Sequence, residues 1–310
     1  MNSNSANGEI VAMPQGETPG VRPPDYRLPA DLRLGEVLLQ VSRLERSLEF
    51  YQRVLGLRVV QRDERSASLA AADDEAPLVR LREHPHVALA SGAGRLGLYH
   101  FALLLPDRAA LGRFVSHLGA IGARAGSSDH LVSEALYLRD PDGLGIEVYA
   151  DRPRSDWRSR EGELTMASLP LDLDALATAA AGVRWAGMPA GTRMGHVHLH
   201  VGELEAASRF YHEVLGLDRM VWSYPGALFL AAGGYHHHLG VNTWAGPGAR
   251  AAAADEPRLV EWRIVLPAAD VEPAKGSVDR AGYATEVTPD GWRVSDPWGT
   301  TVHVVGDRLR

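Results

Sequence analysis

MGHVHLHVGELEAASRFYHEVLGLDRMVW, residues 194–222, decides the fold, because the chain carries a near copy, LGEVLLQVSRLERSLEFYQRVLGLRVVQ, at residues 34–61. Leu44 matches Leu204, Phe50-Tyr51 matches Phe210-Tyr211, and Leu55-Gly56-Leu57 matches Leu215-Gly216-Leu217, always 160 residues apart. A period this long means duplicated domains and not a solenoid. Each copy reads as a strand (Glu36 to Val41 in the first), a turn, an amphipathic helix closed by a glycine cap, and a second strand. A weaker variant begins twice more, at GLYHFALLLPDRAALGRFVSHLGAIGA (from Gly97) and RLVEWRIVLPAADVEPAKGSVDRAGYA (from Arg258). These two close on YLRDPDGLGIEVYAD and WRVSDPWGTTVHVVGD, whose Asp-Pro-x-Gly supplies tight-turn chemistry for a strand pair. The expectation is an α+β protein of four strand–helix–strands units in two halves, 34–152 and 193–307. A loose Pro-, Gly-, Asn- and Ser-rich arm (1–33) precedes them, and a linker with a short Ala-rich helix (153–192) separates them.

At 310 residues the chain is long enough for two cores. A net charge of -7 and the lack of any lysine- or arginine-rich block argue against a nucleic-acid partner, which requires clustered positive charge. No apolar run reaches the roughly 18 residues of a membrane span, and the N-terminus lacks a basic-then-apolar leader, so the expectation is a cytoplasmic protein without a membrane partner. With no cysteine, thiolate metal sites, thiol nucleophiles and disulfides are excluded. Any transition metal must be held by imidazole nitrogen and carboxylate oxygen. Six of the 13 histidines crowd into GHVHLHV (His196, His198, His200) and GYHHHLG (His236, His237, His238).

Four such units, opening with GHVHLHV and carrying LYHFALLLP, DHLVSEALY and DPDGLGIEVYADRP, resemble the vicinal oxygen chelate superfamily. More narrowly they resemble its two-domain, catechol 2,3-dioxygenase-like branch of extradiol ring-cleaving enzymes, over roughly Leu34 to Asp307. The resemblance implies βαβββ units pairing into open barrels, with a ligand position at the start of each first strand and another in the last strand. Here the first-strand positions are Glu36, His100, His196 and Glu261, and the clear last-strand positions are Glu147 and His303. If units pair in sequence order, the sets are Glu36, His100 and Glu147 in one barrel and His196, Glu261 and His303 in the other. If the second and third units pair, the set is His100, Glu147 and His196. The latter suits Fe(II), or Mn(II), in non-haem oxygen chemistry, because two imidazoles and one carboxylate on one face leave places for a bidentate diol and dioxygen. A lone histidine at a strand start is more often a plain core or surface residue, and Glu36 and Glu261 read equally as remnants, salt-bridge partners or a second metal site with His303.

The resemblance further implies that Tyr137 stands beside a substrate oxygen and that His130 hydrogen-bonds a ligand oxygen. The histidine triplet then falls on the third unit's last strand, where relatives keep an acid–base histidine. Strand alternation admits His237 alone, or His236 with His238, and His237 is the expected acid–base residue. The competing reading of the triplet is an exposed hairpin tip. His198 and His200 are expected behind the ligands, and His84, His86, His117 and His212 in solvated loops or helices. Trp244, Tyr99, Tyr149 and Tyr235 are candidates to wall an aromatic pocket, or plain core. The implied activity is ring cleavage of a small aromatic diol by O2, in a chain that a homo-oligomer would suit. The alternatives are a glyoxalase- or epimerase-like metalloenzyme with a fourth protein ligand, and a noncatalytic drug-sequestering protein.

Overall fold

The computed structural model describes residues 11–12, 18–84 and 94–307. The first unit comprises β1 (Arg33–Val41), α1 (Leu44–Arg53), β2 (Arg58–Arg62), β3 (Ser66–Ala70) and β4 (Val79–Glu83). The second comprises β5 (Arg95–Leu104), α2 (Arg108–Ile121), β6 (Gly126–Asp129), β7 (Ser133–Arg139) and β8 (Gly145–Asp151). After the linker helix α3 (Leu173–Ala179) come β9 (Arg193–His200), α4 (Leu204–Ala207), β10 (Asp218–Val221), β11 (Ala227–Ala231) and β12 (Leu239–Asn242). The fourth unit is β13 (Arg258–Leu266), α5 (Val271–Arg280), β14 (Thr285–Thr288), β15 (Gly291–Ser295) and β16 (Thr301–Gly306). The architecture is α+β, with four βαβββ units.

The strands form two curved sheets, in the orders β10-β11-β12-β9-β5-β8-β7-β6 and β14-β15-β16-β13-β1-β4-β3-β2. The second unit therefore pairs with the third and the first with the fourth. The seams are antiparallel, β9 on β5 and β13 on β1. Each sequence half thus supplies one unit to each sheet, and within each half a tyrosine ties its two units together across the sheets. Tyr51 of α1 donates to Asp140 (3.2 Å), and its repeat partner Tyr211 donates to Asp296 (2.8 Å), both aspartates belonging to Asp-Pro-x-Gly turns. Asp140 and Asp296 also accept two backbone N–H groups each, which fixes the turns. One apolar cluster runs through both sheets, from Val37, Leu39 and Tyr51 through Phe101 and Ile146 to Trp262, Trp292 and Val304. Each such side chain removed from water stabilises the fold by about 1.5–3 kcal/mol.

The structure departs from the sequence reading in three places. Residues 18–33 do not hang free. Leu28 and Leu32 are buried, Arg27 forks onto Asp218 (2.8 and 2.6 Å), and Val21 bridges to Arg219. The helix of the third unit is α-helical for one turn only and continues as a π-helical segment, Ser208–Val214. That wider turn buries His212, whose Nδ1 donates to the Leu217 carbonyl (2.7 Å), whereas its counterpart Gln52 is exposed. His117 is likewise no solvated residue: it contacts the last α1 carbonyls, Arg53 and Val54 (3.2 Å each), and stacks on Trp185. His84 is half-buried, and His86 lies outside the described residues. Among the described residues no helix is long and apolar enough to cross a membrane.

Candidate metal centre

Strand alternation and register bring the centre together. On β9, Val197 and Leu199 enter the apolar core, so His196 and His198 face the opposite, concave side. Across the seam His198 lies opposite His100 and His196 opposite Ala102. Strand β8 runs parallel to β5 and sets Glu147 beside Ala102, whose small side chain leaves the carboxylate room. Glu147 Oε2 is 3.0 Å from His100 Nε2 and 3.1 Å from His196 Nε2, and the two nitrogens are 3.3 Å apart. All three residues are buried, and among the described residues this is the one cluster of histidine and acidic side chains with metal-ligand spacing. Burial alone would raise the Glu147 carboxyl, but His196 and His100 outweigh it and hold it well below the usual carboxylate range. Burial lowers both imidazoles, against the pull of Glu147, which favours neutral rings, each with one nitrogen lone pair to offer. Three electron-pair donors crowded at one buried point are unfavourable alone and suit a cation.

The two halves of this sheet are related by a pseudo-twofold that exchanges His100 with His196. It also exchanges Ala102 with His198, because Ala102 lies beside Glu147 and His198 beside Gly240. The position of Glu147 is therefore held in the third unit by Gly240. A Cβ there would stand 2.8 Å from the His198 ring, which fills the space instead. The same operation carries Tyr137, opposite Glu147, onto Phe229, opposite Gly240. The second unit brings His100 and Glu147 to the centre, whereas the third brings His196 alone, with an aromatic ring opposite Gly240 and no second carboxylate.

A cavity of about 320 Å³ opens onto the centre, walled by His100, Glu147, His198, Phe229, Tyr99 and Trp244. Tyr137, His130 and His237 also line it. His130 Nδ1 donates to the Ala167 carbonyl (2.7 Å), and its Nε2 lies 2.6 Å from the Tyr137 hydroxyl. Burial, then the nearby Glu147 charge, pushes the Tyr137 phenol well above its ordinary range. The histidine triplet is no exposed hairpin tip: His236 is fully buried and His237 is 5% exposed. It precedes β12 instead of lying on it. The His237 ring packs against His196, with centroids 4.1 Å apart, and enters the cavity, while His236 turns away to Asp151 (2.9 Å). His238 Nδ1 accepts from the Ala232 backbone N–H (3.2 Å).

Tyr99 and Trp244 reach the cavity wall, but Tyr149 and Tyr235 sit behind it, hydroxyl to hydroxyl at 2.6 Å. His198 and His200 flank Asn242, at 2.9 and 2.6 Å. The wall also includes Met166, Ser168, Tyr224 and Phe229, which the sequence reading did not name. Phe229 was accessible through its repeat relation to Tyr137, whereas Met166 and Ser168 belong to the linker, which carries no periodic signal.

The other barrel takes a different course. Glu36, Glu261 and His303 do not converge on one point. Arg263 pairs with Glu36 (3.1 Å), Arg293 with Glu261 (2.5 Å), and His303 with Glu261 (3.0 Å). Guanidinium groups hold these acids as salt-bridge partners, which removes the case for a second metal site.

A sequence model of the Glyoxalase/Bleomycin resistance protein/Dioxygenase superfamily matches residues 33–148 and 193–303. The chain belongs to this superfamily. A catechol-2,3-dioxygenase from Bacillus subtilis (strain 168) is 44% identical to this superfamily member over 271 residues, 86% of this chain and 94% of the relative. A solved structure from Bacillus subtilis subsp. subtilis str. 168 superposes with a TM-score of 0.63 at 14% identity, covering 92% of this chain and 87% of that one. Glyoxalase I from Zea mays superposes with a TM-score of 0.52 at 17% identity, over 89% and 92% of the two chains. At such identities the superpositions speak for the fold alone.

Proposed function

We propose that this superfamily member is a metal-dependent extradiol ring-cleaving dioxygenase acting on a catechol-type aromatic diol with O2. The observation that carries the reading is the asymmetry of the centre: His100, Glu147 and His196 converge, while Gly240 withholds a fourth ligand at the related position. Three ligands on one face leave room for a two-oxygen substrate and dioxygen. A glyoxalase- or epimerase-like centre would want that fourth ligand. The 44% identity to a protein named catechol-2,3-dioxygenase supports the same choice. When bound, Fe(II), or Mn(II) in its place, would supply the redox coupling between diol and dioxygen.

The chain's own residues would do the rest. Phe229, Trp244 and Tyr99 offer aromatic faces to a planar ring. His237 would take the proton of a diol hydroxyl. Tyr137, held at 2.6 Å by His130, would present its hydroxyl to a second substrate oxygen. The neutral, desolvated state of His237 suits a base: burial, then the neighbouring His196 and His236, holds its imidazole well below the ordinary histidine range. The test is to add catechol and substituted catechols to protein loaded anaerobically with Fe(II), then admit air. A yellow ring-fission product with matching oxygen uptake is expected, and neither signal from any diol would overturn the proposal.

A further inference from the structure

The cavity at the metal centre is larger than a bare ring needs. A space of about 150 Å³ is enough to take benzene, whereas this cavity measures about 320 Å³. Beside it lies a second cavity of about 640 Å³, between residues 160–168 of the linker and residues 221–225 at the end of β10. Met166, Ser168 and Tyr224 line both cavities. An aromatic track leads from the centre to this shared wall. His237, which packs on His196, meets Phe229 with centroids 4.9 Å apart, and Phe229 meets Tyr224 at 5.6 Å. At the wall itself the Tyr224 and Ser168 hydroxyls are 3.1 Å apart. The second cavity presents apolar surface from Leu164, Met166, Val221, Trp222 and Pro225, and its frame is fixed. Glu163 Oε1 accepts the backbone N–H groups of Trp222 and Ser223 (2.5 and 2.6 Å), and Leu169 exchanges two backbone hydrogen bonds with Asp129 (2.9 Å each).

We infer that the second cavity is a subsite for a substituent on the diol, and that the ligands this chain selects are catechols carrying an extended apolar group. The inference rests on the proposed ring cleavage for where the diol sits. Its two oxygens must reach the metal held by His100, Glu147 and His196, so a substituent on the opposite side of the ring points away from the metal, along the aromatic track. Such a group passes Tyr224 and Ser168 and leaves water for Leu164, Val221 and Trp222. Each methylene buried there should tighten binding by up to about fourfold. Trp222 and Ser223 line the second cavity and not the first, whereas Trp244 lines the first and not the second, so occupancy of the two can be told apart.

Binding is read without turnover, on Zn(II)-loaded protein labelled with 5-fluorotryptophan, using 4-alkylcatechols from methyl to hexyl. Affinity by calorimetry should rise along the series by about tenfold or more in all. The Trp222 fluorine resonance, assigned by its loss in Trp222→Phe, should shift with hexylcatechol and stay in place with methylcatechol. Flat affinity along the series, or a Trp222 resonance indifferent to the hexyl chain, overturns the inference. Ser223→Trp places an indole in the second cavity from an exposed position and should lower the ratio of hexyl to methyl affinity about tenfold. An unchanged ratio in the folded variant sinks the inference as well, and if that variant does not fold, the wild-type series and the Trp222 resonance decide alone. Loss of ring cleavage with the binding series intact would overturn the proposed activity and leave the subsite confirmed, so the two failures are distinguishable.

Discussion

Gly195, directly before His196, offers a test of how tightly the centre is packed. A Cβ at this position would lie 1.9 Å from the Tyr149 hydroxyl oxygen, 2.6 Å from Cζ and 2.7 Å from Cε1. Tyr149 has little freedom to retreat, since it is fully buried, packs with its ring centroid 4.9 Å from that of His196 and bonds Tyr235 at 2.6 Å. Gly195→Ala must therefore strain the core, at about 1–3 kcal/mol, and break the tyrosine pair, which leaves a buried hydroxyl unsatisfied at about another 1–3 kcal/mol. For a chain of this size a total of about 2–6 kcal/mol corresponds to a fall in Tm of roughly 3–9 °C. The assay is urea unfolding of Gly195→Ala, Tyr149→Phe and the double variant. Removing the hydroxyl relieves the closest contact and part of the strain, so the double variant should be more stable than the two single losses predict, by about 1 kcal/mol or more. Gly195→Ala within about 0.5 kcal/mol of wild type, the range of an unconstrained surface change, would refute the packing argument, and so would strict additivity in the cycle.

His100→Ala and His196→Ala should each lose metal on dialysis, checked by elemental analysis; stoichiometric iron in both would mean that the ligand set is wrong. Tyr211→Phe deletes the 2.8 Å bond to buried Asp296 and should cost about 1–3 kcal/mol in urea unfolding, more than Tyr51→Phe, whose bond to Asp140 is longer at 3.2 Å. In the other barrel burial alone would raise the Glu261 carboxyl, but His303 and Arg293 outweigh it and hold it at about 2. Its folded value is depressed, so its contribution to stability is complete above the unfolded carboxylate range and is lost as pH falls from about 4.5 toward 2. Glu261→Gln should flatten the acid limb of Tm against pH, and an unchanged limb would show that the pairing carries no linkage.

The repeat offset made four units legible, and local patterning located their first strands and helices, because those signals are short-range. The partner of each unit was not legible. It depends on whether β1 finds β5 or β13, a contact some 220 residues distant that no periodicity encodes. Both candidate ligand sets therefore stayed open until the seam of β9 with β5 brought His100 and His196 together. His212 was misread for a related reason: its helical spacing marks a solvated face, and only the π-helical turn, a departure from that spacing, buries it. The triplet defeated a simple parity argument because His236 and His237 lie between strands, where alternation does not operate, and their orientations are set by Asp151 of the second unit and by His196 on the first strand of their own.

The repeats preserve a position more faithfully than a residue. Beside the inward strand residue two places after each first-strand ligand position stand Glu147, Gly240, Arg80 and His303, one per unit. In the barrel of the first and fourth units the position brings Arg80 to Glu36, where Arg263 joins it, and His303 to Glu261, where Arg293 joins it, so internal guanidinium groups neutralise the acids. In the barrel of the second and third units the same position gives one acid and one glycine, and His100 and His196 meet Glu147 with no guanidinium among them. A duplicated fold that filled all four positions with ligands would hold a metal on every side and leave substrate no place. On the proposed reading, reactivity therefore depends on an imbalance that the pseudo-twofold makes visible: Ala102 with Glu147 on one side, His198 with Gly240 on the other.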